Sequence, residues 1–222
     1  RKITEVYSQA AQECEDKMNE HLRKFAQKDK IKRQKLLAGE ITQDEYKYWL
    51  TGQLAIGQRW EEMRDTLARD LLNTKHIAES MTTGYSYDVF ALNHNYATFC
   101  VEHDSLVDTS YTLYNRDSVI RLIRDNPSLF PKYKNRDRKL IKQYNQMMQS
   151  AVLQGILQGE SLPKIAKRMG SVYDTDRKAT IRNARTAVTG AQNAGRHQAN
   201  MRAESMGIKR VEIWRAIMDG RT

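Results

Sequence analysis

The spacing of apolar residues at the start of the chain is helical. Between residues 3 and 37, apolar side chains recur every three or four positions, which is the period of one face of an α-helix. The stripe consists of Ile3, Tyr7, Ala10, Cys14, Met18, Leu22 and Phe25. Gly39 follows at a place where glycine commonly ends a helix. The pattern predicts one long N-terminal helix over 3–37.

A second long helix is predicted after a short connection. Thr42 and Glu45 have the spacing of a capping box, in which each side chain bonds the backbone of the other residue. Helical spacing continues to about residue 80 through Tyr46, Trp49, Leu50, Ile56, Trp60, Met63, Leu67 and Leu71. Two long helices joined by a short loop form an antiparallel hairpin. Residues 1–80 are therefore predicted to be an N-terminal helical hairpin.

The middle of the chain is less regular and is predicted to be a mixed helical and loop linker over 81–134. The stretch MTTGYS (81–86) interrupts the helical pattern, and a third helix is expected over 87–104. Residues 105–116 are compatible with either a loop or a short strand at SYTLY. A short helix is predicted over about 117–125.

The remaining residues, 135–222, are predicted to form an α-rich module. A helix over 136–158 should end at Gly159, and a short helix capped by Ser161 should end at Gly170. The next helix should begin near Asp174 or Asp176, since acidic side chains favour helix N-termini. Both carboxylates are therefore interpreted as caps rather than as catalytic groups. That helix should reach Met206, followed by Gly207.

The last residues change to the pattern of a strand. Apolar residues occupy alternating positions over 208–218, and Asp219-Gly220 is a strong hairpin turn. The partner strand is expected beyond residue 222. The predicted fold class is mainly α, with a small β-hairpin element (α+β) that is cut off at residue 222.

The helix around 182–199 has two distinct faces. Its small-residue face carries Ala184, Ala187, Val188, Ala191, Ala194, Gly195 and Ala199. Glycine inside a helix costs about 1 kcal/mol relative to alanine, so tight packing is expected to compensate for Gly190 and Gly195. The polar face of Arg185, Thr189, Asn193 and Arg196 contains no carboxylate. Proton transfer needs a base, so this helix is predicted to be a packing surface.

Composition points to an anionic partner. The chain carries a formal net charge of +10, and only 40% of its residues are hydrophobic. Basic residues cluster over 23–35 and over 132–142. The candidate contacts to nucleic acid or an acidic protein are Lys24, Lys28, Lys30, Lys32, Arg33, Lys35, Lys132, Lys134, Arg136, Arg138 and Lys139. Without interleaved aromatic residues, phosphate contact independent of base sequence is expected. The alternative is a solvated helix end in a basic protein without such a partner.

Other functional classes find little support. No apolar run approaches the roughly 18 residues of a membrane span. No nucleophile elbow, phosphate-binding loop or zinc-protease motif is present. Cys100, His103 and Asp104 share a helix face but lack the supporting ligands of a zinc site. The sequence therefore predicts no catalytic residue, no metal site and no cofactor.

Ordered motifs near the C-terminus resemble the phage head-morphogenesis family of minor head proteins, which includes the F protein of phage Mu. The family pattern is a small-residue helix with A-R-T, then T, N and G-R, followed by a strand with Trp and by Asp-x-Arg-Thr. The matching positions are Ala184, Arg185, Thr186, Thr189, Asn193, Gly195, Arg196, Trp214, Asp219, Arg221 and Thr222. Residues 39–60 are also similar to the leading helices of minor head proteins. Two departures are Ala187, where members often have Glu, and the absence of the family's downstream His before residue 222.

The resemblance implies a structural protein of the virion rather than an enzyme. Such a protein is made in the bacterial host cytoplasm and is associated with the portal vertex inside the phage head, in multiple copies. The portal protein is the expected partner, with the major capsid protein and packaged double-stranded DNA as further candidates. Two alternatives remain: a free-standing, non-specific DNA-binding protein, and an ADP-ribosyltransferase-like toxin with catalytic residues beyond 222.

Overall fold

The computed structural model describes residues 1–106, 113–130 and 136–208. Within these ranges the chain forms α1 (Lys2–Leu37), α2 (Gln43–Leu54), α3 (Gln58–Ser105), α4 (Arg116–Asp125), α5 (Asp137–Leu157) and α6 (Leu162–Ser205), with a short 3-10 turn at Pro127–Leu129. The mainly α class is confirmed. Two predicted features lie outside the described residues: the strand over 208–218, except for its first residue, and the turn at Asp219-Gly220. Most of the SYTLY stretch also lies outside them.

Four of the helix-end signals in the sequence are confirmed. Thr42 Oγ1 accepts the Glu45 amide at 3.2 Å, and Glu45 Oε2 accepts the Thr42 amide at 2.8 Å, which confirms the capping box. Gly39, Gly159 and Gly207 each follow a helix with φ of +74°, +69° and +84°. After each of these glycines, the next amide bonds a carbonyl five residues back, as in a Schellman motif. All three helix ends were predicted.

The prediction of a single helix over 43–80 is wrong, because the chain breaks between α2 and α3. Gly57 has φ +106°, which other residues rarely adopt. The break is supported from a distant part of the chain: Gln149 Nε2 donates to the Ala55 carbonyl at 3.0 Å. The indole N–H of Trp60 donates in turn to Gln149 Oε1. Gln149, about ninety residues away in sequence, thus provides the hydrogen-bond donor for a backbone carbonyl at the C-terminal end of α2.

The interruption predicted at 81–86 is also wrong, because α3 continues through it. Ser86 Oγ donates to the Thr82 carbonyl at 2.8 Å, and both side chains are buried. A hydroxyl that bonds the carbonyl four residues earlier is satisfied within the helix itself. Polar residues at these positions therefore do not require a turn.

The region Leu162–Ser205 is one helix rather than two. Gly170, predicted to end a short helix, lies inside α6. A Cβ at this position would meet the Glu15 side chain at 2.6 Å, so the small residue allows α1 to approach closely. Asp174 and Asp176 consequently lie in the middle of a helix, and neither is the N-cap that the sequence predicted.

The chain divides into two compact units. The first contains 1–81 and 133–184, and the second contains 82–132 and 185–222, so that α3 and α6 contribute to both. In the first unit, α1 packs on α2 and α2 packs on α5. Its core includes Tyr7, Met18, Leu22, Leu50, Trp60, Leu67, Tyr144, Met148, Ile165 and Tyr173. The smaller core of the second unit is made by Val89, Phe90, Ala91, Val119 and Ala191.

Candidate functional sites

The basic segment of α1 separates into residues that face solvent and residues that hold the fold. The side chains of Arg23, Lys24, Lys28 and Lys30 are exposed. Ion pairs of the described residues include none of these four. They are therefore available to an external anion, as the sequence predicted for the three lysines.

Arg33, predicted to contact an external anion, forms contacts inside the first unit. Its guanidinium bonds the buried Asp29 at 2.9 Å and the Glu160 carbonyl at 3.2 Å. It also lies 5.3 Å from the ring centre of Tyr46, whose hydroxyl donates to Asp29 at 2.5 Å. Burial, and next the bond to Asp29, raises the pKa of Tyr46. Arg33 thus connects α1 with α2 and with the turn before α6.

Two further members of this segment also have intramolecular contacts. The ammonium of Lys32 lies 5.9 Å from the ring centre of Trp49, within the range of a cation–π interaction. Lys35 forms an exposed pair with Glu40 at 3.5 Å, which contributes little to stability. Of the predicted contacts in α1, Lys24, Lys28 and Lys30 are therefore exposed and in no ion pair among the described residues. Together with the neighbouring exposed Arg23, which was not predicted, we call them the α1 basic surface.

The second basic cluster lies at the beginning of α5. Arg136 precedes the helix without a capping side chain, and Arg138 and Lys139 are exposed in its first turn. Cations are unfavourable at a helix N-terminus because the amides there carry partial positive charge. Asp137, the acid in this turn, lies 3.1 Å from His76 Nε2. The predicted contacts Lys132 and Lys134 lie outside the described residues.

A buried polar cluster surrounds Asp176. Its carboxylate accepts the hydroxyl of Tyr7 at 2.5 Å and that of Tyr144 at 3.0 Å. The ammonium of Lys75 lies 3.4 Å away, and both partners of this ion pair are largely buried. Thr180, one turn further along α6, bonds Tyr7 at 3.0 Å and Asp176 at 3.4 Å. One carboxylate on α6 therefore bonds side chains of α1, α3 and α5.

The chemistry of this cluster is structural. Burial, with an added contribution from Asp176, raises the pKa of the Tyr7 and Tyr144 phenols, which therefore stay protonated and donate. Each member already has a partner inside the unit. Sequence reasoning missed the cluster, because Asp176 resembled a helix cap and its partners are distant in the chain.

The small-residue face of α6 packs as predicted in the second unit. A Cβ at Gly195 would lie 2.5 Å from the Phe90 carbonyl oxygen and 3.1 Å from the His94 amide. Only glycine allows the α3 backbone to approach this closely. Gly190 differs, since a Cβ there would meet no described atom within 4 Å. The proposed packing role thus holds for Gly195 and not for Gly190.

The polar face of the same helix points away from its packing face. Arg185, Thr186, Thr189, Asn193 and Arg196 are exposed, in contrast to the buried Gly195. The other motif positions, Trp214, Asp219 and Arg221, lie outside the described residues.

His94 is a buried aromatic contact rather than a ligand. Its ring stacks on Tyr114 with centroids 4.0 Å apart, and its Nε2 has no hydrogen-bond partner. Burial lowers its pKa, so the ring stays neutral. Across the three described ranges, no group of three or more His, Cys, Asp or Glu side chains is arranged to hold a metal. None of the described helices is long and apolar enough to cross a membrane.

Comparison with known proteins identifies the C-terminal part of the chain. The family model described as phage Mu protein F like protein matches residues 146–222. This region contains the second half of α5 and the whole of α6, together with the motif positions from Arg185 to Arg221. No curated protein and no solved structure matches the chain. Residues 146–222 therefore resemble the phage Mu protein F like family, and this match supports a phage head-morphogenesis assignment for the C-terminal part of the chain.

Proposed function

We propose that this protein is a structural minor head protein of a tailed bacteriophage, bound at the portal vertex on the inside of the head. The observation that carries the proposal is the family match over 146–222, which includes the helix that packs through Gly195. Several copies around the portal, acting in head assembly, are part of the same proposal. The portal protein is the proposed partner, and the major capsid protein is a further one.

The surface of the chain supports this role. The α1 basic surface and the beginning of α5 carry exposed cations, while the titratable cluster at Asp176 is enclosed and already paired. Positive surfaces of this kind suit acidic protein partners or the phosphates of a packaged genome. The polar row of α6 is an additional exposed surface for assembly.

The direct test is the composition of purified phage heads. The protein should be present in DNA-filled heads at low copy number and should co-purify with the portal protein from detergent-treated heads. An affinity-tagged portal should retain it from a lysate of infected cells, whereas an unrelated tagged ring should not. Heads that lack the protein, together with a portal that does not retain it, would refute the proposal.

Contact with packaged DNA is a second candidate activity, supported by the α1 basic surface. Replacing Lys24, Lys28 and Lys30 by glutamine should weaken binding to any duplex and flatten its salt dependence. Each lost phosphate contact reduces the slope of log affinity against log salt by about 0.9, so the triple variant should lose up to about 2.7. Fluorescence anisotropy with a labelled random-sequence duplex at several salt concentrations measures this slope.

A matched control keeps the same change in net charge. Lys164, Lys167 and Lys178 are exposed lysines of α6, and their replacement by glutamine should leave the slope close to that of the unsubstituted protein. Equal slopes for the two triple variants would show that DNA retention, if any, depends on overall charge and not on the α1 basic surface.

A further inference from the structure

A groove in the first unit lies along α5 and beside the beginning of α3. It encloses about 720 Å³. Its lining comprises Arg64, Arg138, Ile141, Lys142, Leu153 and Leu157 together with neutral polar side chains. Three of these residues are cationic, and none is acidic. We call this feature the α5 groove.

Three aliphatic residues line the α5 groove, one near the start of the helix and two, a single turn apart, near its end. Ile141 and Leu153 are partly buried, whereas Leu157 is 66% exposed at the end of α5. Leu157 lies one turn after Leu153, so the exposed leucine extends an apolar area that is favourable to remove from water. The groove therefore suits a partner with apolar side chains at helical spacing.

The cations of the α5 groove are not neutralised by the unit itself. Arg138 and Lys142 are exposed, lie one turn apart, and take part in no ion pair among the described residues. Arg64 lies 3.3 Å from Asp65 through one terminal nitrogen, but its buried Nε has no partner. The Asn145 carbonyl oxygen is also buried without a partner, although its amide nitrogen bonds Asp65 at 2.9 Å.

We propose that the α5 groove binds an acidic amphipathic helix of another phage head protein, an inference that rests on the proposed function. The carboxylates of such a helix would neutralise Arg138 and Lys142 and relieve the unfavourable charge at the start of α5. Its apolar face would cover Ile141, Leu153 and Leu157. Burial of apolar area at a helix-in-groove contact provides affinity, and the paired charges provide orientation.

Charge and apolar character together favour a protein occupant over duplex DNA. A phosphate backbone could neutralise the two free cations, but it offers nothing apolar to cover the exposed leucine. Arg138 and Lys142 both lie in the first two turns of α5, and the remaining polar lining consists of Arg64, which is paired with Asp65, neutral amides and Ser150. DNA binding at this place is therefore an outcome that would contradict the proposal.

Site-specific photo-crosslinking in infected cells tests the proposal. A benzoylphenylalanine at Gln146, an exposed residue of the groove, should join the protein to one segment of a head protein that carries Asp or Glu beside apolar residues at helical spacing. The same probe at the exposed Asn73 on α3 is the positional control and should not capture that segment. Peptide mass spectrometry identifies the captured segment.

Charge reversal provides the second arm. Arg138→Glu with Lys142→Glu should reduce crosslinking at Gln146 at least tenfold, whereas Lys164→Glu with Lys178→Glu, an equal change in net charge, should leave it within twofold. Unchanged thermal unfolding of both variants excludes loss of the fold.

Two kinds of negative result are distinguishable. If the protein is present in heads but the probe captures DNA, a segment without acidic residues, or nothing, the groove proposal is wrong and the proposed function stands. If the protein is absent from heads and from portal complexes, the proposed function fails and the groove proposal fails with it.

Discussion

Replacing Asp176 by alanine is expected to lower the free energy of unfolding by at least about 3 kcal/mol. The substitution leaves the hydroxyls of Tyr7 and Tyr144 without their acceptor, and it leaves the largely buried Lys75 without its counter-charge. Removing one partner of a buried ion pair typically costs about 3–5 kcal/mol. For a chain of this size the melting temperature should fall by roughly 6–12 °C, measured by calorimetry or circular dichroism.

Asp174 provides the matched control for this substitution. It lies two residues away on the same helix, and its side chain is 53% exposed in a pair with Arg177 at 3.1 Å. Asp174→Ala should change stability by less than about 0.5 kcal/mol, since exposed pairs contribute little. Equal losses from the two substitutions would mean that helix propensity, rather than the buried cluster, determines the effect.

A double-mutant cycle measures how much of the loss in stability comes from the hydrogen bond between Tyr7 and Asp176. Tyr7→Phe removes one donor to Asp176, and it should cost less in an Asp176→Ala background than in the unsubstituted protein. A coupling of about 0.5–3 kcal/mol is expected for residues that share one hydrogen-bond network. Additive effects would show that the two side chains contribute independently.

Alanine is expected to have opposite effects at Gly190 and Gly195, two of the glycines of α6. Gly195→Ala should destabilise the second unit by about 1–3 kcal/mol, the usual cost of overpacking, because the new methyl group would lie 2.5 Å from a carbonyl oxygen of α3. Gly190→Ala should stabilise by about 0.5–1 kcal/mol, since alanine is the better helix former and no described atom lies within 4 Å.

Urea unfolding of the two variants, with fluorescence and circular dichroism as probes, measures both shifts. The same methyl group is added to the same helix five residues apart, so propensity alone would stabilise both variants. A shift of the same sign in both would contradict the close approach at Gly195.

Helix periodicity and several helix ends could be predicted from the sequence because they depend on neighbouring residues. The stripe of α1, the capping box at Thr42 and the three glycine ends involve contacts within one or two turns. The motif around Gly195 was accessible for a similar reason, since a glycine among small residues indicates a close helix contact. These features made the mainly α class and the packing face predictable.

The errors occurred where a distant residue decides the local conformation. Gln149 satisfies the carbonyl at the end of α2, and this contact separates α2 from α3. Asp174 and Asp176 had the same local pattern, yet only Asp176 faces the core and meets partners that lie 32 to 169 residues away in sequence. Arg33 likewise belonged to a basic run, although its bonds to Asp29 and Glu160 make it part of the fold.

The sequence by itself determined the helical class, the capping box at Thr42, three glycine helix ends, the basic segments and the family resemblance of residues 146–222, because short-range periodicity, backbone preferences and ordered motifs encode them. Only the tertiary structure decided which polar residues form hydrogen bonds and ion pairs inside the fold and which are exposed on its surface. Burial depends on neighbours brought together from distant parts of the chain. A carboxylate or guanidinium that is paired in the core is identical in sequence to one that is exposed, and packing alone separates Asp176 and Arg33 from Asp174 and Lys28.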